Sequence, residues 1–252
     1  MPHDYAVATA EERSDLRDLT NRMTASAWPE FMHHDQVAHR HWGDLFERFP
    51  GYQFALFDPS GKSVAVGLSV PLTYDPRREG YPDEGWDWAI ARGVADGAAG
   101  RRPSIQCGLM VVVPEAHRGR GVSAQAIRAM QDIGIRRGLR EMIVPVRPTL
   151  KSSYPLTPVD RYVQWRNAEG LPIDPWLRTH ARLGGEIVGV CSRSMTISGA
   201  IAEWETWTGM RFPESGPYIV PGALVPVEID RESDWGLYVE PNVWVRHAAG
   251  ER

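Results

Sequence analysis

Two glycines alternate with two arginines at Arg118-Gly119-Arg120-Gly121, after an apolar run that ends at Val113-Pro114 and before a helical pattern that begins at Val122-Ser123. Those residue types in that place suit an anion. A helix start leaves main-chain N–H groups without intrahelical acceptors, and their dipoles sum to partial positive charge. Glycine lets a ligand approach the backbone because no Cβ intervenes, and arginine adds charge-assisted hydrogen bonds. Together they make a cradle for phosphate. Four such residues taken alone would read as a solvated turn; the strand before and the helix after favour the cradle. The spacing GxxxxGK[ST] of a nucleotide P-loop is absent, and no third glycine completes GxGxxG.

Other residues have chemistry of their own. His180 ends a helical stretch; imidazole can donate or accept a proton near neutral pH, and a last-turn histidine also suits the helix dipole. Asp83, Glu84, Asp87 and Glu141 are candidate bases among which the sequence does not choose. Trp86 and Trp88 in the Gly- and Pro-rich segment 74–103, and Arg147, Lys151 and Tyr154 in the proline-marked segment 147–173, are candidate contacts to an acceptor substrate. Cys107 reads as a small buried hydrophobe rather than a nucleophile. Two cysteines make neither a disulfide framework nor a zinc site, and the run His33–His41 has no i,i+4 histidine pair, so no metal is expected.

The elements that must position these groups follow from pattern. Helices are predicted over 11–23, 35–49, 86–94 and 122–137, the last ending where Gly138 supplies a C-cap. Strands at 52–58 and 63–72 flank the turn Pro59-Ser60-Gly61-Lys62 as a hairpin. Strands at 105–113 and 141–146 enclose the helix that follows the Gly-Arg turn, which makes them parallel neighbours. Asp174-Pro175 opens a helix as N-cap and first-turn proline. A strand at 186–191, a helix at 201–207 and further strands complete a mixed α/β chain.

The Gly-Arg turn in this setting resembles the GNAT acetyltransferases, whose pattern [QR]-x-x-G-x-[GA] lies between a strand and a helix. Arg118 to Val122 matches five positions, and Ser123 departs at the sixth. The lead-in Val112-Val113-Pro114 and His117-Arg118-Gly119 is similar to the family's V-x-P-x-[YH]-R-G. The resemblance implies a central, twisted, mostly antiparallel sheet flanked by helices, with 1–195 as the GNAT-like domain, insertions at 74–103 and 147–173, and a β-rich extension at 196–252 packed on it. It implies acetyl-CoA or another acyl-CoA as co-substrate, with the main chain of Met110, Val111, Val112 and Val113 along the pantetheine arm. Arg118, Gly119, Arg120, Gly121, Val122 and Ser123 would lie at the pyrophosphate, and the acyl thioester would enter a splay between strands 105–113 and 141–146. The segment Thr179 to Gly189 resembles a family stretch in which a tyrosine protonates the departing thiolate. His180 stands in that place and Gly185 where an aromatic residue is usual. The implied function is transfer of an acyl group, acetyl above all, to an amine of a small molecule by direct attack in a ternary complex. Other acyl chemistry on the same fold and a non-catalytic acyl-CoA-binding module are the alternatives.

Bulk composition limits the partners. The 252 residues are 42% hydrophobic and 24% charged with a net charge of −4, ordinary for a globular protein and without a general pull toward nucleic acid or anionic membrane. No signal peptide or membrane span is read, free thiols fit a cytoplasmic protein, and a homodimer is compatible with the chain.

Overall fold

The computed structural model describes residues 5–25 and 27–248. In chain order the elements are β1 (Ala6–Thr9), α1 (Leu16–Thr24), α2 (Gln36–Arg48), β2 (Phe54–Phe57), β3 (Ser63–Leu72), α3 (Pro76–Glu79), α4 (Gly85–Ala98), β4 (Ile105–Val112) and α5 (Val122–Arg136), followed by β5 (Glu141–Val146), α6 (Val159–Tyr162), α7 (Pro175–Arg182), β6 (Glu186–Gly199), α8 (Ile201–Thr208), β7 (Gly216–Tyr218), β8 (Val227–Asp230) and β9 (Trp235–Ala248). The strands form one sheet in the order β1-β2-β3-β4-β5-β9-β8-β7, with β6 on the other edge of β9. Every pair is antiparallel except β4 and β5.

Local chemistry explains the elements that matter for the site. The turn between β2 and β3 is held by Asp58, whose carboxylate accepts from Ser60 N at 2.9 Å and Lys62 N at 3.0 Å. β3 is an almost unbroken apolar run, buried from Val64 onward, as a strand covered on both faces must be. One face packs on α1, α2 and α4 through Leu16, Leu45, Phe46 and Ile90. The other face packs on α5, whose Val122, Ala126, Ile127, Met130 and Ile133 recur at helical spacing. Burying each such side chain stabilises the fold by roughly 1.5–3 kcal/mol.

The C-terminal strand is internal to the sheet. β9 pairs with β5 from Val243 to Ala248 and with β6 from Gly236 to Arg246. Residues 196–252 therefore supply a strand that the site region rests on.

Three elements differ from the sequence reading. The segment 74–103 contains a 14-residue helix, α4, longer than the predicted 86–94. Buried Asp96 fastens the segment's two ends: it accepts from Thr73 N at 2.8 Å, Arg92 Nε at 3.0 Å and Arg101 Nη1 at 2.8 Å. β6 continues past Cys191 to Gly199. The polar residues Ser192-Arg193-Ser194 sit at a register irregularity between Cys191 and Met195, where Asp83 accepts from Ser192 N at 2.7 Å. α1 begins at Leu16 rather than at residue 11, because Thr9 to Arg13 closes a turn with Glu12 capping Thr9 N at 2.8 Å.

Candidate active site

β4 and β5 pair only at Gln106–Met142 and Cys107–Ile143. Beyond that point they diverge, which leaves the β5-facing edge of β4 bare from Gly108 to Val112. A register shift opposite Leu68 and Ser69 makes Leu109 a bulge on β4, and bulges re-aim backbone groups next to functional sites. The Leu109 carbonyl is held by Trp86, whose Nε1–H donates to it at 2.9 Å. The divergence opens into a cleft of about 1060 Å³ that touches Gly108 to Val113 along and just past β4, Val144 to Arg147 at the end of β5, and the turn at Arg118 and Gly119 with Val122 and Ser123.

The turn is shaped as the sequence required. Gly119 and Gly121 have φ of +73° and +76°, the left-handed region that favours glycine. A Cβ at either position would meet nothing within 4 Å. α5 begins at Gly121 without a side-chain cap. Among the described residues no protein acceptor is paired with the amides from Gly119 to Ala124. Arg118 is tied back to the strand, its Nε donating to Val113 O at 3.2 Å. An open concave turn of unpaired amides at a helix start fits a diphosphate, and a bare strand edge running from it toward the splay fits an amide-bearing arm.

His180 lies in the last turn of α7 and on the cleft wall. α7 is placed by Asp174, which accepts from Trp176 N at 2.9 Å and Leu177 N at 3.1 Å and also from Tyr162 OH at 2.9 Å. The His180 ring is buried, edge-on to Trp176, with Nδ1 2.8 Å from Nε2 of His247 on β9. Burial and the neighbouring imidazole push its pKa down to about 3, and burial pushes that of His247 down to about 4. Both rings are therefore neutral at pH 7, and His180 is not an imidazolium there. Gly185 has no side chain because a Cβ would lie 2.7 Å from Cε1 of His247; the histidine from β9 fills that space.

The far end of the cleft reaches Trp86, His33, Glu240 and Asn242. Glu240 is fully buried and accepts from Arg147 Nε at 3.0 and 2.9 Å and from Tyr238 OH at 3.0 Å. Arg147 also donates to Gly222 O at 2.8 Å. With the Asn242 amide oriented by its neighbours, Ser194 donates to its oxygen at 2.8 Å and its nitrogen donates to Glu240 at 3.3 Å. Behind His33, Trp86 and Met195 sit two more carboxyls. Asp35 caps α2, accepting from Ala38 N at 2.7 Å, and Asp87 accepts from Thr196 N at 3.2 Å. Burial raises both pKa values, and repulsion from Asp35 helps push Asp87 up to about 8, so Asp87 holds its proton at neutral pH.

The predicted site residues thus divide. Met110, Val111, Val112, Val113, Arg118, Gly119, Val122, Ser123, Trp86, Arg147 and His180 meet at the cleft, and Arg120 and Gly121 complete its turn. Trp88 lies outside the cleft, packed on Tyr74 and Trp244. Lys151 is fully buried, donating to Tyr154 O at 2.8 Å and Leu224 O at 2.6 Å; burial pushes its pKa down to about 8. Tyr154 stacks edge-on to Trp165 in the same loop. Of the candidate bases, Asp83 and Glu84 bind Ser192 and Arg193, and Glu141 lies 3.2 Å from Arg246. Cys107 is buried with its thiol pKa raised by burial, which removes the thiolate a nucleophile needs. His34 stacks on Trp207 with centroids 4.1 Å apart, and among the described residues no group of three or more His, Cys, Asp or Glu is arranged to hold a metal. Asp35, Glu240, Asn242 and His247 were missed; the signal for the last three was polar residues within the apolar strand VEPNVWVRH.

A mixed sheet that splits between two parallel strands, with an amide-lined turn at the following helix, defines an acyl-CoA-binding acyltransferase. No protein-family model matches the chain. It is 34% identical to the arginine N-acetyltransferase avaD of Aspergillus versicolor over 277 aligned positions, covering 98% of this chain and 95% of that protein. Its fold is similar to the loading GNATL domain of CurA from Lyngbya majuscula, with a TM-score of 0.61, 17% identity, and coverage of 98% and 99% of the two chains. It is also similar to the GphF GNAT-like decarboxylase in complex with isobutyryl-CoA, with a TM-score of 0.56, 17% identity, and coverage of 98% and 100%. The chain belongs to the GNAT superfamily of acyl-CoA N-acyltransferases. It is an enzyme that transfers an acyl group from coenzyme A to an amine, and acyl-CoA is its co-substrate. Among the described residues no helix is long and apolar enough to cross a membrane.

Proposed function

We propose that the chain transfers an acetyl group from acetyl-CoA to the α-amine of arginine or of a closely similar cationic amino acid, by direct attack within a ternary complex. The observation that carries the acceptor is the charge at the far end of the cleft: Glu240 and Arg147 line it as a pair, and two further carboxyls, buried Asp35 and half-buried Asp87, act electrostatically on Glu240 or on each other. The Arg147–Glu240 pair cancels, and Asp35 and Asp87 are two further acidic groups beside it. A guanidinium remains protonated at any working pH and is a poor nucleophile; it is the handle, and the α-amine is the reacting group. The name of the arginine-acetylating relative supports the same acceptor.

Amides from Gly119 to Ser123 would hold the diphosphate, and β4 beyond Cys107 would hold the pantetheine arm in strand-like fashion. Bound acyl-CoA supplies an activated carbonyl carbon at the splay. A β4 amide beyond the Leu109 bulge stabilises charge on the thioester oxygen, Trp86 fixes the bulge, and the two walls of the cleft hold amine and thioester together. His180, a neutral imidazole on the cleft wall, hydrogen-bonds the departing sulfur, which takes up one of the two protons the acceptor ammonium sheds. A thiol-release assay with acetyl-CoA tests the acceptor over arginine, lysine, alanine and a neutral arylalkylamine. Arginine is expected to give the highest kcat/KM, and equal turnover of alanine would contradict the carboxyl-lined acceptor end.

A further inference from the structure

An amino-acid acceptor carries an anion as well as cations. Its α-carboxylate is bonded to the same carbon as the reacting amine, so bringing the amine to the splay brings the carboxylate with it. A carboxylate taken out of water needs charged or N–H partners in place of its hydration. The lysine and arginine residues that line the cleft are Arg17, Arg118 and Arg147. Arg118 stands at the Gly-Arg turn, and Arg17 on α1 lies 3.5 Å from Glu47. Arg147 directly follows Val146, the last residue of β5. β5 is one wall of the splay, so a group held by Arg147 stands beside the place where the thioester enters.

The Arg147 guanidinium is fixed but not used up. Nε donates to both oxygens of Glu240, and Nη2 donates to Gly222 O. The Tyr238 hydroxyl sits beside them, itself donating to Glu240 at 3.0 Å. A guanidinium has more N–H groups than these partners take. Nη1 forms no hydrogen bond to a described residue, and it is not among the buried nitrogens that lack a partner. The side chain is 22% exposed and lines the cleft, so its open face is presented there. Thr149, next but one in the same loop, is exposed and also lines the cleft, which places a hydroxyl donor close by. Glu240 cancels the charge of Arg147 and holds its planar fork in one orientation. What remains for a ligand is directional N–H donation matched to a carboxylate.

We infer that Arg147 reads the α-carboxylate of the acceptor, with Thr149 beside it, so that the enzyme takes free amino acids in preference to their amides. This rests on the amino-acid acceptor proposed above and makes Arg147 a specificity residue rather than a structural ion pair. A carboxylate docked on the open face of Arg147 leaves the α-amine next to the gap between β4 and β5, and it leaves the cationic side chain of the acceptor to the acidic groups.

Thiol release by the full chain with acetyl-CoA is compared for arginine, argininamide and alanine, each at its pH of maximal rate so that differing amine basicity does not set the ratios. Argininamide keeps the α-amine and the guanidinium but has no carboxylate. Its kcat/KM is expected to lie about tenfold to a hundredfold below that of arginine, the loss of hydrogen bonds to a charged group. Arg147→Met combined with Glu240→Leu removes the reader and its counter-charge together, and there the ratio of arginine to argininamide is expected to fall to near unity. A purely structural role would slow both acceptors and leave that ratio unchanged. Thermal melts confirm folding; if the double variant does not fold, Arg147→Lys, which keeps a cation against Glu240 but withdraws the fork, decides by a fall in the same ratio. A wild-type ratio near unity, or a folded variant that keeps the wild-type ratio, overturns the inference. Alanine separates it from the reading it rests on. Arginine and argininamide equal, with both well above alanine, removes only the carboxylate reading; arginine equal to alanine removes the cationic acceptor.

Discussion

Replacing Gly121 by valine separates the ligand-binding role of the turn from its backbone strain. Gly121 sits at φ +76° with nothing within 4 Å of a built Cβ. The substitution meets no steric clash inside the protein, and its intrinsic cost is that of an L-residue in the left-handed region, about 1–2 kcal/mol. For a chain of this size that lowers Tm by roughly 2–8 °C. Gly61 provides an internal control: it has φ +82°, equally open surroundings, and a place in the β2–β3 hairpin outside the cleft. Gly61→Val should therefore lose similar stability. The two variants should diverge only in coenzyme A affinity. Displacing the turn forfeits one or two hydrogen bonds to a charged group, each worth about 1.5–3 kcal/mol, which correspond to a Kd weaker by about tenfold to about twenty-thousandfold. Isothermal titration of coenzyme A into both variants, alongside melting curves, measures both quantities. Equal affinity in Gly121→Val and Gly61→Val would refute the assignment of the diphosphate to this turn.

Other perturbations test other parts of the account. Trp86→Phe keeps the aromatic packing but releases the Leu109 carbonyl; it should cost about 1 kcal/mol, and steady-state kinetics should show a raised KM for acyl-CoA. Arg147→Ala leaves Glu240 charged and buried and should destabilise by about 3–5 kcal/mol, whereas the double change Arg147→Met with Glu240→Leu should be nearly neutral, as chemical denaturation will show. Stability should fall on both sides of neutrality. Asp87, raised to about 8, favours folding fully below its unfolded pKa near 4 and loses that contribution as pH rises through about 8. His180 and His247, lowered to about 3 and about 4, favour folding above about 6.5 and lose it as pH falls toward those values. Melting curves from pH 4 to 9 should show both limbs, with Asp87→Asn removing the decline between about 6.5 and 8 and steepening the rise below it.

What the sequence made legible was local. A left-handed glycine pair before a helix, an apolar strand ahead of it and an Asp-Pro helix start each write their geometry into neighbouring residues, so the Gly-Arg turn, β4, α5 and α7 were predicted close to their observed places. The far end of the cleft was not legible, because its parts come from opposite ends of the chain. Asp35 looked like a helix cap, which it is, and its meeting with Asp87 depends on α4 packing over α2. Glu240, Asn242 and His247 read as interruptions in a strand; only the insertion of β9 between β5 and β6 brings the first two to the cleft and His247 against His180. Lys151 and Tyr154 were misplaced for the converse reason: a cation and a phenol in a stiff loop resemble a binding surface, yet the Lys151 ammonium is consumed by two carbonyls.

The central claim is that the amides after Arg118 hold the diphosphate while the thioester enters where β4 and β5 part. A crystal structure with acetyl-CoA bound measures it directly. Diphosphate oxygens within hydrogen-bond distance of amides between Gly119 and Ser123, with the acetyl group beyond Cys107 and Ile143, is the predicted result. A diphosphate bound elsewhere, or an acetyl group outside the gap between the two strands, would contradict it.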